Sequence, residues 1–418
     1  MAVPEGRSVP TVAMILAGGV GSRLSVLSGK RAKPAVPFGG IYRIIDFTLS
    51  NVMRSEIPVV GVCTQYKPYS LMDHISIGEA WGFARRGYVA KTLPPYTGEE
   101  DSDWYAGTAD AIYQNLNFIN RYAPQRVLIL SGDHIYHMDY RPLIEFHRRH
   151  GGALTIAVQE VPWEETSRFG VIVTDGEDRV IGFQEKPKVG AKSNLANLGI
   201  YVFDAQQLDE QLRTDARTPQ SSHDFGNDVI PMMKETEACH VYRFKGFWRD
   251  VGTVRSYWET QMDVLRPDSG LDLENWEVYT ASRNLGEGCL VPARIRRGGT
   301  VEHSIVSWGC EIEGTVRHSI LSPGVRVGPG AVVEDSVLLD NVQIGRDCLV
   351  RRAVIDKKGR VGDRCVLGSE ESGGQDNGIT LLGKGAWIPD DCTVPPGRTI
   401  PIGARPEDLP ESAVRIRK

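Results

Sequence analysis

Residues 17–24 read Ala-Gly-Gly-Val-Gly-Ser-Arg-Leu, directly after the apolar run 12–16 that ends at Leu16. Gly18, Gly19 and Gly21 in that place leave backbone N–H groups open. A phosphate can then approach without meeting a Cβ, at the carboxyl end of a strand where α/β sheets take their ligands. A tight turn alone would use the same glycines. Arg23 favours the phosphate, because a guanidinium at the rim of a glycine loop offers planar, paired donors to phosphate oxygens. Lys30, Arg31 and Lys33 follow, just before the apolar residues 35–38. Beside the loop these cations describe a polyphosphate site; apart from it they would be an ordinary solvated basic surface. The spacing is neither G-x-G-x-x-G nor G-x-x-x-x-G-K-[ST], which argues against hydride transfer with a dinucleotide and against P-loop hydrolysis.

Two further positions could take part in such chemistry. Asp133 comes immediately after the apolar run 127–130, where a carboxylate can hold a divalent cation between phosphates; an N-cap or a surface ion pair is the alternative. Glu185-Lys186-Pro187 pairs a carboxylate suited to sugar hydroxyls with an ammonium suited to a phosphate.

The elements that would carry these residues alternate. Apolar runs at 12–16, 59–64, 127–131, 154–158 and 199–203 read as strands. The stretches 108–121 and 142–150 have helical spacing, with Ala111, Ile112, Asn115, Leu116 and Ile119 on one face. Strands alternating with helices predict a mostly parallel sheet covered on both faces, in a three-layer α/β domain over 11–265. Residues 266–283, with Pro267, Ser269 and Gly270, read as a connector.

From 284 to 418 the period changes. Glycine makes up about 17% of residues 286–403 and about 8% of the rest. Ile312, Val327, Ile344 and Val361 recur at intervals of 15, 17 and 17 residues, and the finer series Val327, Val333, Leu339, Ile344, Val350, Ile355, Val361 moves in fives and sixes. Leu382, Ile388, Val394 and Ile400 keep steps of six. Such hexapeptide periodicity predicts a parallel β-helix whose corners glycine turns at positive φ, and the interruption at 368–377 predicts a protruding loop. An all-β domain with regular turns is the alternative. The region reads as scaffold or oligomer interface rather than as a site of chemistry.

Several segments together resemble the sugar-phosphate nucleotidyltransferases, and among them the bacterial glucose-1-phosphate adenylyltransferase family. They are the glycine loop with Arg23 and Leu24, residues 30–51 (KRAKPAVPFGGIYRIIDFTLSN), 104–111 (WYAGTADA), 131–136 (SGDHIY), 184–187 (QEKP), 198–203 (LGIYVF), 221–231 (SSHDFGNDVIP) and 248–253 (WRDVGT). The resemblance implies a Rossmann-like nucleotidyltransferase domain followed by a left-handed β-helix, and transfer of an adenylyl group from ATP to glucose 1-phosphate with release of pyrophosphate. It implies Mg²⁺ held by Asp133 and Asp250, and Arg23 and Lys33 acting on the phosphates. It assigns Leu16, Gly18, Gly19, Gly21, Gln65, Trp104 and Gly107 to the nucleotide, and Tyr105, Gly170, Glu185, Lys186 and Asn197 to glucose 1-phosphate. Enteric relatives carry serine at the position of Asn197. Lys30, Arg31 and Arg43 match effector positions, whereas Pro37 replaces a histidine of enteric relatives, so inhibition by AMP and the choice of sugar-phosphate effector are open. A homotetramer serving glycogen or a related α-glucan completes the implied picture.

The reaction makes chemical sense for these residue types. A sugar phosphate is already an anionic nucleophile, so catalysis reduces to in-line positioning of two polyanions and neutralisation of their charge. Other readings are a non-catalytic regulatory subunit, which would lack cations and carboxylates that this chain has, a uridylyl-, thymidylyl- or guanylyltransferase, and an acyltransferase using His303 or His318 of the β-helix. The net charge of −5 excludes a generally basic nucleic-acid binder. No run reaches the length of a membrane span, residues 1–10 lack the apolar core of a signal peptide, and seven scattered cysteines without a CxxC pair predict a reduced cytoplasmic protein without structural zinc.

Overall fold

The computed structural model describes residues 10–19, 21–95, 104–273, 275–281, 291–368, 378–409 and 415–416. Residues 1–9, Cys289, the start of the hexapeptide region at 284–290 and the interruption at 369–377 lie outside the described residues. The chain divides into two compact units, Met1–Gly19 with Phe47–Gly246, and Val20–Asp46 with Phe247–Lys418.

The first unit holds a nine-stranded sheet. Its strands are β1 (Thr11–Leu16), β2 (Val59–Cys63), β3 (Val89–Leu93), β4 (Arg126–Ser131), β5 (Leu154–Glu160), β6 (Gly170–Thr174), β7 (Val180–Glu185), β8 (Leu195–Asp204) and β9 (Cys239–Arg243). The order is β7-β6-β8-β4-β1-β2-β3, with β5 pairing both β8 and β9. Pairing is parallel through β3, β2, β1 and β4. The sheet is mixed: seven of its strands share one direction, as the alternation predicts, and β7 and β8 run against them, β8 pairing antiparallel with β4, β5 and β6. The reason is the connection: the chain between β5 and β8 forms the antiparallel β6–β7 hairpin instead of a long crossover helix, and apolar periodicity carries no information about strand direction.

Alternation along the central strands covers both faces. Val12, Met14, Val127 and Ile129 join one core cluster with residues of α1 (Thr108–Tyr113), α2 (Leu116–Asn120), α4 (Ala205–Ala216) and α5 (Ile230–Thr236). Their neighbours Ala13, Ile15, Leu128 and Leu130 are equally buried on the opposite face. Between Pro142 and His150 the predicted helix is present as α3 (Arg141–His150), closed by Gly151 at φ 63°. The predicted helix 108–121 is instead broken at Asn115, which has φ −108° and whose side-chain amide donates to the Ala111 carbonyl at 2.8 Å. An asparagine that bonds its own backbone competes with helix continuation.

In the second unit, three parallel sheets stack coil upon coil. Ile312, Val327, Ile344, Val361 and Ile388 occupy one ladder. Val316, Val333, Val350, Leu367 and Val394 occupy the second. The third contains Leu321, Leu338, Ile355, Leu382 and Ile400. This is the left-handed parallel β-helix of hexapeptide repeats. Leu338, rather than Leu339 of the sequence series, takes the ladder position; both are buried aliphatics, which a five-or-six-residue step cannot separate. Glycine also does not turn every corner: His303, His318, Asp335 and Arg352 stand at successive corners with φ of 42–47°. The two histidines are therefore corner residues.

Residues 22–46 and α6 (Val254–Asp263) belong to this unit. Tyr257 donates its hydroxyl to the Pro37 carbonyl at 2.6 Å, and the Gln261 side chain accepts from the Gly39 amide at 2.9 Å. A Cβ at Gly40, where φ is 85°, would lie 2.9 Å from the Ser307 hydroxyl. Trp258 Nε1 donates to the Asp335 carbonyl at 2.8 Å, joining α6 to the coils.

Candidate active site

Within the first unit the carboxyl ends of β1, β2 and β4 come together, since Leu16 is in register with Cys63 on one side and Ser131 on the other. Ala17 donates to the Cys63 carbonyl and Gly132 to the Leu16 carbonyl, at 2.9 and 3.0 Å. A Cβ on Gly18 would sit 3.1 Å from Gln65 Cβ, whereas nothing lies within 4 Å of one on Gly19. Gly18 is thus closely packed against Gln65, and Gly19 keeps an open approach.

Gln65 continues the network. Its side-chain amide donates to the Tyr105 carbonyl at 3.3 Å, and the adjacent Tyr66 ring stacks on Trp104 with centroids 5.1 Å apart. Trp104 is 60% exposed. Tyr105 points inward: its hydroxyl donates to the Leu93 carbonyl and accepts from Asn115, both at 3.0 Å, and burial raises its pKa. The structure therefore groups Tyr105 with Gln65 and Trp104. Tyr66 was not singled out in the sequence, and Asn115 was read only as part of a helix face, with nothing in its local spacing to mark it as a partner of Tyr105.

Asp133 stands two residues past the end of β4, where its carboxylate accepts from the Ser131 hydroxyl and lies 3.5 Å from His134 Nε2. Its side chain is 31% exposed. Hard carboxylate oxygens of this kind fit a divalent cation such as Mg²⁺ better than a thiophilic one.

The other predicted group lies on β6, β7 and β8. Gly170 is directly opposite Glu185, and a Cβ there would come within 2.8 Å of the Phe183 ring and 3.0 Å of a Glu185 carboxylate oxygen. Lys186 has φ 43°, an uncommon conformation for a non-glycine residue, and its amide donates to the Phe169 carbonyl at 3.1 Å. Its ammonium contacts the Glu185 carboxylate. Asn197 sits at the irregularity of β8, donating to the Tyr201 hydroxyl at 2.8 Å and accepting from the Gly199 amide at 3.0 Å, with Gly199 at φ 66°. Gly107 begins α1, and a Cβ there would collide with the His223 carbonyl oxygen.

The second unit carries Arg23 and Lys33. Gly21 has φ 65°, with Lys33 Cβ 3.1 Å from where its own Cβ would be. Lys33, only 4% exposed, pairs with Asp250 at 2.9 Å. Arg23 reaches the same place, since a Cβ on Gly252 would lie 3.0 Å from its Nη2 and 2.9 Å from an Asp250 oxygen. Thr253 then caps α6 reciprocally with Ser256.

Of the predicted effector residues, Lys30 is exposed and Arg43 half-buried, while Arg31 is buried against Asp356 of the β-helix in a two-bond pair at 2.8 Å. Lys357 adjoins them: burial lowers its pKa, with Arg43 and Arg31 acting the same way and Asp340, at 3.2 Å, opposing. Asp356 and Lys357 were missed because in sequence they are two more polar residues of a repeat.

Residues 12–266 match the nucleotidyl transferase family model, and 289–382 match the GlmU-like C-terminal hexapeptide model. A glucose-1-phosphate adenylyltransferase of Desulforamulus reducens is 44% identical over 91% of this chain and 97% of its own length. The enzymes of that name from Fervidobacterium nodosum and Bacillus mycoides are 43% and 47% identical, over 94% and 86% of this chain and 95% of each relative. Nucleotidyltransferases generally use a divalent metal. The chain belongs to the nucleotidyl transferase family, in the group that contains these glucose-1-phosphate adenylyltransferases.

Proposed function

We propose that this protein transfers the adenylyl group of ATP to glucose 1-phosphate, forming ADP-glucose and pyrophosphate. The observation that carries the reading is the carboxyl edge of the first unit's sheet, where the open Gly18–Gly19 turn adjoins Gln65 and the end of β4 leads into Asp133. The names of relatives identical at 43–47% along nearly their whole length support it.

In this reading Leu16, Gly18, Gly19, Gly21, Gln65, Trp104 and Gly107 receive the nucleotide. Arg23 and Lys33 neutralise charge on the phosphates. Lys186 binds the phosphate of glucose 1-phosphate, and Glu185, Gly170 and Asn197 surround its sugar. Tyr105 acts from behind, because its buried hydroxyl fixes the backbone that carries Trp104. Asp133 and Asp250 would hold Mg²⁺, which when bound supplies positive charge to the reacting phosphates. Lys33 keeps Asp250 charge-balanced and in place. Lys30, Arg31 and Arg43 with Lys357 would receive an anionic effector, and the β-helix would mediate assembly into a homotetramer. The product would feed glycogen or α-glucan synthesis.

The test is pyrophosphate release from glucose 1-phosphate with ATP, UTP, dTTP and GTP in turn. ATP should give the largest kcat/KM; preference for another nucleotide overturns the adenylyl assignment.

A further inference from the structure

We propose that the pair of buried Asp215 and half-buried His223 is a positioning device that holds the nucleotide-side and sugar-side walls of the site in one geometry. The proposal rests on the substrate assignment above and deepens it. The pair includes a residue of segment 221–231, whose composition alone gave it no role.

Asp215, at the end of α4, is 4% exposed. One of its oxygens accepts from the Ser221 hydroxyl at 2.6 Å, and the other lies 2.8 Å from His223 Nδ1. Ser221 in turn accepts from the His223 amide at 2.9 Å. These bonds hold His223 at φ 56°, a left-handed conformation that non-glycine residues rarely adopt.

That turn has consequences on two sides. On one, the His223 carbonyl accepts from the Ala109 and Asp110 amides, at 2.8 and 3.3 Å, and so caps the N-terminus of α1. The same carbonyl closes the space over Gly107, which we assign to the nucleotide. On the other, Asp224 receives the Thr108 hydroxyl at 2.8 Å and accepts from the Gly226 and Asn227 amides at 2.9 and 3.0 Å. Gly226 then packs on the Phe183 ring, which a Cβ at that position would approach to 3.0 Å, and Phe183 packs over Gly170 beside Glu185. A single side-chain pair therefore fixes a turn that braces Gly107 in one direction and Gly170 with Glu185 in the other. Such bracing matters because displacements near 1 Å can cost about a hundredfold in rate.

The experiment uses the full chain. The wild type is first assayed with each nucleoside triphosphate, and the one it turns over best is used throughout, so failure of the ATP assignment leaves this test intact. His223→Gly keeps the left-handed backbone accessible but removes the side chain, whereas His223→Asn tolerates the conformation and retains a donor for Asp215. His223→Gly and Asp215→Asn should each raise KM for the nucleotide and for glucose 1-phosphate together, by about fivefold or more. His223→Asn should stay within about twofold of wild type, and His223→Gly/Asp215→Asn should be no worse than the poorer single variant, as expected for groups acting as a unit. A lowered melting temperature with both KM values unchanged would make the pair purely structural and overturn the proposal. A rise in only one KM would overturn it as well.

Discussion

Removing the Asp356 carboxylate should destabilise the second unit severely. Asp356 accepts two bonds from Arg31 Nη2 at 2.8 Å and one from the Lys357 amide at 2.7 Å. The two side chains are 0% and 6% exposed. In Asp356→Ala the guanidinium would stay buried without its counter-charge, which costs about 3–5 kcal/mol. For a unit of about 200 residues, each kcal/mol lowers the melting temperature by about 2–4 °C, so the transition should fall by about 6–20 °C. Scanning calorimetry of the full chain reads this directly. The double variant Arg31→Met/Asp356→Leu replaces both charges by apolar groups of similar reach. It should recover most of the loss, because a buried ion pair is worth little net against good apolar packing. A shift under about 2 °C in Asp356→Ala, or a double variant no more stable than the single one, would refute the reasoning.

Asp133→Ala should lower kcat by at least about 10²-fold, as expected when stabilisation of phosphate charge is lost; a decrease under fivefold with normal folding would remove Asp133 from the metal site. Lys186→Ala should raise KM for glucose 1-phosphate about tenfold or more, the worth of a charged hydrogen bond, with little change in KM for ATP; steady-state kinetics in each substrate separates the two. His147, held 2.9 Å from the Thr155 hydroxyl, has its pKa lowered by burial first and by Arg126 second, from 6.5 to about 4. The unfolded chain therefore binds the proton more readily. Stability that is present above pH 6.5 should be lost as pH falls towards 4, by up to about 3 kcal/mol. His147→Gln should flatten this acid limb in melting curves recorded from pH 4.5 to 7.5.

The sequence carried the β-helix well, because each coil repeats one aliphatic per face and the ladders preserve that spacing through Ile312, Val327, Ile344 and Val361. It also located β1, β2, β4 and α3 to within a residue or two. Strand direction was not legible: whether β8 enters parallel or antiparallel depends on the β6–β7 hairpin, a non-local choice. The site was legible where chemistry requires a residue type locally, as in the glycines after β1 and the carboxylate after β4. It was illegible where support comes from distant segments. Asn115 under Tyr105, Tyr66 on Trp104, Phe183 over Gly170 and Asp356 on Arg31 are ordinary residues until folding brings their partners to them.

The membership of Val20–Asp46 in the second unit bears on how the protein is made. Arg31 and Asp356 are 325 residues apart in the chain. At synthesis rates of about 5–20 residues per second, Arg31 leaves the ribosome about 16–65 seconds before the carboxylate it will be buried against exists. During that interval the basic segment has none of its coil contacts, so the N-terminal part of the site cannot mature as it emerges. Lys33 can pair with Asp250 once residue 250 has emerged, whereas Arg31 must await the last third of the chain, and truncation at residue 265 would leave its guanidinium without the Asp356 carboxylate.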